Sequence, residues 1–429
     1  MKRLIIPLSI LIILSSCSSE YSGIPEYYHS LLDSALVKAG DNAAELQMAL
    51  DESPKDQKEG MAFIISYMPE RDLTSLKADF LLENAEYAYK AREEFPWCRE
   101  LPDSVFFNEV LPYANTSEDR DPWRKDFYER FKPYVADCDN LVDAIFAINK
   151  PIKDEVGVEY NTKRSRVDAS PKQSMAEGMA TCTGLSILLT DAFRSVGIAS
   201  RLAGTGMWTK MNGNHTWSEV LVDGEWMFTE YYPDTLNRSW FVADAGRADP
   251  QNPIHWIYAV SYKPTGIYYG AGMQAMHLVN HVDEDMIPEM WKGRLARMKE
   301  MGRELPKPYV HGVNVTQKYI DIYRQSIGNS ELAEDECICN FVVYKNSKSV
   351  NSQGRVSVLV EVFKDGEKVD FGYSPSRTDD NNNFLKFRLK KNTPYQLYFS
   401  DGSKLERTDG VTLITGSESD QEHKVSLEE

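Results

Sequence analysis

The sequence predicts an α+β chain in three parts: a helical region, a mixed core built on one helix and one β-hairpin, and a C-terminal β-sandwich. Three observations carry this. Apolar residues recur at helical spacing from about Ile24 to Lys150, the stretch Ala176 to Asp234 passes from a helical period to strand alternation across an Asp-Gly turn, and from about Cys337 the period is two throughout. The implied boundaries are 1–16 for an export signal, 17–150 for the helical region, 151–330 for the core with a trailing helix, and 331–429 for the sandwich.

At 429 residues the chain is long enough for two or three cores, and 42% hydrophobic with 26% charged residues is a globular composition. The formal charge of -17 points away from nucleic acid as a partner. Six cysteines spread along the chain form no disulfide framework. Cys98 and Cys138 could pair, and Cys337 and Cys339 fall on one face of a strand, where a structural role is favoured over a redox one.

Met1-Lys-Arg3 followed by the apolar run Leu4 to Leu14 reads as an export signal, too short to span a bilayer. Leu14-Ser-Ser-Cys17 after it resembles a bacterial lipobox, which implies a lipid on Cys17 and a membrane-anchored protein in the cell envelope. Ser18 in place of Asp leans toward the outer membrane.

In the helical region, Leu73, Leu76, Phe80, Leu81, Ala85 and Ala88 keep one face, as do Leu141, Ala144, Ile145 and Ile148. No chemistry is legible there.

The core is more specific. From Cys182, the residues Leu185, Leu188, Leu189, Ala192, Phe193 and Val196 form an apolar stripe, with Thr181 and Thr183 placed to cap its start and Gly197-Ile198 to close its end. Cys182 therefore opens a helix of roughly four turns, at the end where partial positive charge favours a thiolate. His215–Val222 and Glu225–Tyr232 read as strands joined by the type I′ turn Asp223-Gly224. That register sets Val222 opposite Glu225 and places His215, Trp217, Phe228, Glu230 and Tyr232 on one face, with Glu230 diagonal to His215. Asp234 lies diagonal on the other side if the ladder continues, although Pro233 argues against continuation. A thiol needs a base and the base needs an orienting group, so Cys182, His215 and Glu230, with Asp234 as the alternative third member, are the candidate catalytic residues.

The runs Cys182-Thr-Gly-Leu-Ser-Ile, Arg194-Ser-Val-Gly-Ile-Ala-Ser-Arg201, Asn214-His-Thr-Trp217-Ser-Glu219 and Gly224-Glu-Trp226 resemble the core of the transglutaminase-like superfamily, whose members share a papain-like Cys-His-Asp site. The resemblance implies a papain/transglutaminase-like core with Cys182 as nucleophile and His215 as base. Its third residue is usually Asp, four after the hairpin Trp and followed by Pro. Here Glu230 followed by Tyr231 stands at that place.

Gln173, upstream of Cys182, is a candidate oxyanion donor beside the Cys182 backbone N–H. Trp208, in the loop Gly204 to Gly213, is a candidate substrate-contacting aromatic. Aromatics cluster around Trp240, Trp256 and Tyr268, where core building is favoured over binding. His255, His277, His281 and His311 lack metal-ligand spacing, which points away from a metal site, and no dissociable cofactor is implied. Ile287 to Ile327 reads as helical. Beyond it, Val356, Val358, Val360 and Val362 alternate before the turn Asp365-Gly366, and the short strands that follow suggest an immunoglobulin-like sandwich in broad class.

These readings converge on an exported, lipid-anchored thiol enzyme acting on peptide or carboxamide bonds through an acyl-enzyme, hydrolytic rather than cross-linking, with a peptide, protein or glycopeptide substrate. The alternative is a surface binding protein that kept the fold and lost the chemistry.

Overall fold

The structure, a computed structural model, describes residues 21–211, 213–231, 235–305, 307–327, 332–400 and 407–428. The export signal, Cys17 and Asp234 lie outside the described residues. The chain divides into two compact units, Met1–Leu82 and Glu83–Glu429. The first is helical, with α1 (His29–Ala39), α2 (Ala43–Glu52) and α3 (Lys58–Tyr67) burying Leu32, Leu46, Met61 and Ile64.

The second unit opens within α4 (Ala78–Glu94) and continues through α5 (Trp123–Val135), α6 (Leu141–Asn149) and α7 (Pro171–Glu177) to α8 (Cys182–Ser195). Then come β1 (Ser200–Thr205), β2 (His215–Val222), β3 (Glu225–Thr229), β4 (Ile257–Ser261), α9 (Glu289–Glu300), β5 (His311–Asn314) and α10 (Thr316–Ile327). The five strands form one antiparallel sheet in the order β3-β2-β1-β4-β5. Alternation sends Ala203, Trp217, Phe228 and Ala259 to one face, under Phe241 and Tyr319, and Leu202, Tyr258 and Val260 to the other.

The trailing segment is not one helical run. Its middle forms β5, because the alternating Tyr309-Val-His-Gly-Val313 after the proline-broken Leu305–Pro308 fits the free edge of β4. Nor is α8 half exposed as a single stripe would imply. Thr183 to Ser195 are all buried, since β2 packs on one side and α5 on the other.

The C-terminal strands β6 (Glu336–Asn346), β7 (Leu359–Lys364), β8 (Glu367–Tyr373), β9 (Leu385–Lys390), β10 (Pro394–Ser400), β11 (Arg407–Ile414) and β12 (Asp420–Glu428) make two sheets, β8-β7-β10-β11 and β9-β6-β12. Inward residues of both, among them Phe341, Val360, Phe387 and Leu397, share one core. All pairings are antiparallel except β12 with β6. The second unit is α+β.

This module is fastened to the core. Lys386 Nζ donates to the Trp240 carbonyl and to Asp244 at 3.0 and 3.1 Å, and Arg247 pairs with Asp420 at 2.5 Å. Among the described residues no helix is long and apolar enough to cross a membrane.

Candidate active site

Thr181 caps α8 by accepting from the Gly184 N–H at 3.1 Å, so the helix begins at Cys182 with the thiol half-buried at its positive end. The far end closes on Gly197 at φ 75°, where the Ile198 N–H reaches back to the Phe193 carbonyl at 2.9 Å. Hydroxyls fix the lateral position of the helix. Thr183 donates to Thr216 at 3.1 Å, Ser186 to the Thr216 carbonyl at 3.0 Å, and Thr190 meets Ser218 at 3.0 Å. These residues stand three and four apart on α8 and face alternate residues of β2, so they lock one register and set Cys182 against the first residue of that strand. Thr183 therefore reaches across to the sheet instead of capping its own helix.

That first residue is His215, buried against Trp240, Phe241 and Trp217 with ring centroids 4.8, 5.2 and 5.6 Å away. Asp223 and Gly224 at φ 51° and 83° make the tight turn that pairs Val222 with Glu225. Glu230 follows directly after β3, its Oε1 2.7 Å from His215 Nε2. Its Oε2 accepts from Ser239, and its carbonyl accepts from Asn149 Nδ2 at 2.6 Å.

Nδ1 of His215 faces an acid that the sequence reading did not single out. Asp380, on the connection between β8 and β9 of the C-terminal module, places Oδ2 3.4 Å from it. The Cys182 sulfur, a His215 ring nitrogen and an Asp380 oxygen lie within 4.8 Å of one another, and Nδ1 is the ring nitrogen not taken by Glu230. The Asp380 loop is held firmly. Arg355 donates to the carbonyls of Asp380, Asn381 and Asn383 at 2.9, 3.0 and 3.0 Å, and Asn382 bridges Asp380 Oδ1 to the Asn214 carbonyl. The run Thr378-Asp-Asp-Asn-Asn-Asn383 carried the composition of a structured polar loop, but nothing local tied it to residues so far upstream.

Burial works against a charged His215 ring, yet Asp380, Cys182 and Glu230 around it hold its pKa well above the ordinary value. Burial also pushes the Glu230 carboxyl up, against the pull of His215. Asp380 is held below the usual carboxylate range, because His215 and the Asn382 amide outweigh its burial.

Two open clefts of about 540 and 990 Å³ meet at Cys182, and Tyr160, Cys182 and Asp380 line both. Trp240 lines the first and Arg164, Trp291 and Arg294 the second.

Two expected contributors lie elsewhere. The Gln173 amide is spent on a capping box with Ser170 at the start of α7 and on Asp119, and it lines neither cleft. Trp208 is 2% exposed, stacked on Trp217 and Phe241 in the core, because its loop folds back under the aromatic cluster. Cys98, Cys138, Cys337 and Cys339 are free thiols, and burial pushes Cys98 up to about 12.

A thiol at a helix start, a histidine opening the adjacent strand and a carboxylate on its far nitrogen define a thiol–imidazole–acid site. Residues 129–231, which contain Cys182, His215 and Glu230 but not Asp380, match the model of the transglutaminase-like superfamily, so this segment is transglutaminase-like. No curated protein matches the chain. Among solved structures, one from Cytophaga hutchinsonii, by provisional assignment a cysteine protease, is 18% identical over 33% of this chain with a TM-score of 0.25. The match spans 46% of that protein, less than half its length.

Proposed function

We propose that the protein is a thiol enzyme that cleaves peptide or carboxamide bonds, with Cys182 as nucleophile, His215 as acid and base, and Glu230 as the group that orients the imidazole. The observation that supports this most is the 2.7 Å contact between Glu230 and His215 Nε2, which leaves Nδ1 to serve the thiol. The Cys182 sulfur attacks the carbonyl carbon, forming the C–S bond. The oxyanion is met by the Cys182 backbone N–H. His215 passes the proton to the leaving amine as the C–N bond breaks, and water, deprotonated by His215, then releases the acyl group and restores the thiol. The clefts that meet at Cys182 suit an extended chain, which favours a peptide, protein or glycopeptide substrate and hydrolysis as the outcome.

We read the C-terminal module as an immunoglobulin-like sandwich that completes the cleft wall with Asp380. The run Leu14–Cys17 supports a lipid anchor on Cys17 in a bacterial envelope, and Ser18 directly after it supports the outer membrane as the place.

Alkylation by iodoacetamide at neutral pH tests the reading. Cys182 is expected to react faster than free cysteine and to lose that advantage in His215→Ala. Equal rates in all three would leave a binding protein that kept the fold without the chemistry.

A further inference from the structure

We propose that Cys182, His215 and Asp380 form a zinc site at the junction of the two clefts, with the C-terminal module supplying the third ligand. The donor set comes first. A thiolate, an imidazole and a carboxylate are the ligands that bind Zn²⁺, whereas Ca²⁺ and Mg²⁺ require oxygen throughout. Spacing along one helix could not reveal this set, because its members come from the start of α8, the start of β2 and a loop of the sandwich.

The geometry follows. With Zn–N near 2.0–2.1 Å and Zn–O near 2.0–2.2 Å, a tetrahedral ion holds its nitrogen and oxygen ligands about 3.4 Å apart. His215 Nδ1 and Asp380 Oδ2 are 3.4 Å apart. The sulfur, at Zn–S near 2.3 Å, belongs about 3.6 Å from each. It lies within 4.8 Å of a His215 ring nitrogen and an Asp380 oxygen, so a shift of about 1 Å, a small turn of an unbranched side chain, completes three corners. The fourth corner opens on the clefts.

An independent observation points to a ligand at this place. His215 Nδ1 and Asp380 Oδ2 are both buried, their side chains only 3% and 8% exposed, and they meet each other in a long ion pair of 3.4 Å that lacks hydrogen-bond geometry. A buried pair held by so long a contact is poorly satisfied, which is costly, and the two atoms face each other across the gap that an ion would fill. Their other atoms are taken. His215 Nε2 is on Glu230, as the far nitrogen of a ligating histidine usually is, and Asp380 Oδ1 is on Asn382.

The charged groups around the gap are of both signs: Asp380 and Glu230 flank the His215 imidazole, Arg355 stands on the Asp380 loop, and Arg164 and Arg294 line the second cleft. Binding transfers no electrons. The thiol and imidazolium protons leave to solvent, and the sulfur and Nδ1 lone pairs go to the metal.

The consequence for activity rests on the reading proposed above. Zinc on Cys182 and on Nδ1 occupies nucleophile and base together, so the loaded protein is silent and its removal exposes the reactive pair.

The full chain, stripped with EDTA and dialysed, tests the site by titration with Zn²⁺ and, for its spectrum, with Co²⁺. One equivalent is expected to bind at micromolar metal, and Co²⁺ to give a thiolate charge-transfer band. Cys182→Ser should abolish the band, and Asp380→Asn, which keeps Oδ1 for its loop, should weaken zinc binding more than about 100-fold, beyond what loss of an outer-shell partner costs. Binding of one zinc that is unchanged in both variants, or no stoichiometric binding, overturns the proposal. Iodoacetamide alkylation of the stripped protein, run in parallel, separates the two ideas. A sluggish Cys182 that still binds zinc sinks the enzyme alone, and a reactive Cys182 without zinc sinks the metal site alone.

Discussion

Glu230 Oε1 sits 2.7 Å from His215 Nε2, with its other oxygen held by Ser239. A carboxylate fixed at both oxygens fixes in turn the plane and tautomer of the ring it holds, and so decides which nitrogen meets the thiol.

Glu230→Gln keeps the shape and removes the charge that favours an imidazolium. The alkylation rate of Cys182 in metal-stripped protein at neutral pH is expected to fall by roughly tenfold or more, because each pKa unit lost from thiolate stabilisation is about a factor of ten in thiolate. Melting curves of the variant would report any loss of fold separately. A rate equal to wild type would show that Glu230 holds His215 without tuning the thiol.

Glu219 makes the strongest stability test. It is fully buried beneath the sheet, with Arg201 at 2.9 Å, Tyr319 at 2.7 Å and Lys318 on its carboxylate. Burial alone would raise its pKa, but Lys318 and Arg201 outweigh it and hold the carboxyl below its ordinary value. Glu219→Gln leaves two cations without their anion and is expected to cost about 3–5 kcal/mol near neutral pH. The sign of the pH dependence follows from the lowered pKa. The ionised carboxylate stabilises the fold fully above the unfolded value of about 4.3 and progressively less as pH falls below it. Denaturant melts should therefore show the gap between wild type and variant narrowing below about pH 4. A gap constant from pH 7 to pH 3 would contradict this.

Local chemistry explains what was legible in the chain. The Thr181 cap, the Gly197 closure and the Asp223-Gly224 turn each act within a few residues, so helix, hairpin and the Glu230 diagonal could be read directly. Asp380 could not, because it is brought in by packing of a separate module whose contacts, such as Lys386 on Asp244, have no local signature. The strand at His311–Asn314 escaped for a related reason. Its alternation is too short to outweigh the helical runs on both sides, and only the free edge of β4 selects it. Trp208 reads as exposed because glycines flank its loop, yet that loop folds under an aromatic cluster.

Arg355 tests how stiffly the acid is presented. Its planar fork serves the carbonyls of Asp380, Asn381 and Asn383, a spread that one ammonium cannot match. Arg355→Lys is expected to cost about 2–4 kcal/mol and to speed amide exchange across residues 376–384 while leaving exchange in α8 unchanged. Uniform acceleration through the whole second unit would mean that Arg355 supports the global fold and not the loop.

Gly213 is where the loop rests on the core. Its φ is 136°, and a Cβ built there would lie 2.3 Å from Asn382 Oδ1, whose amide nitrogen bonds both the Asn214 carbonyl and Asp380 Oδ1. A side chain at 213 must therefore push Asn382 outward and Asp380 with it, in addition to a strained backbone costing about 1–3 kcal/mol. Gly213→Ala is expected to open the passage over Cys182. The measurement is the ratio of alkylation rates for a bulky maleimide and for iodoacetamide in metal-stripped protein, which should rise several-fold over wild type because only the larger reagent is obstructed by the loop. An unchanged ratio in a variant that melts close to wild type would mean that Asp380 stays in place without the Asn382 contact, and that the core, not the loop, sets access to the thiol.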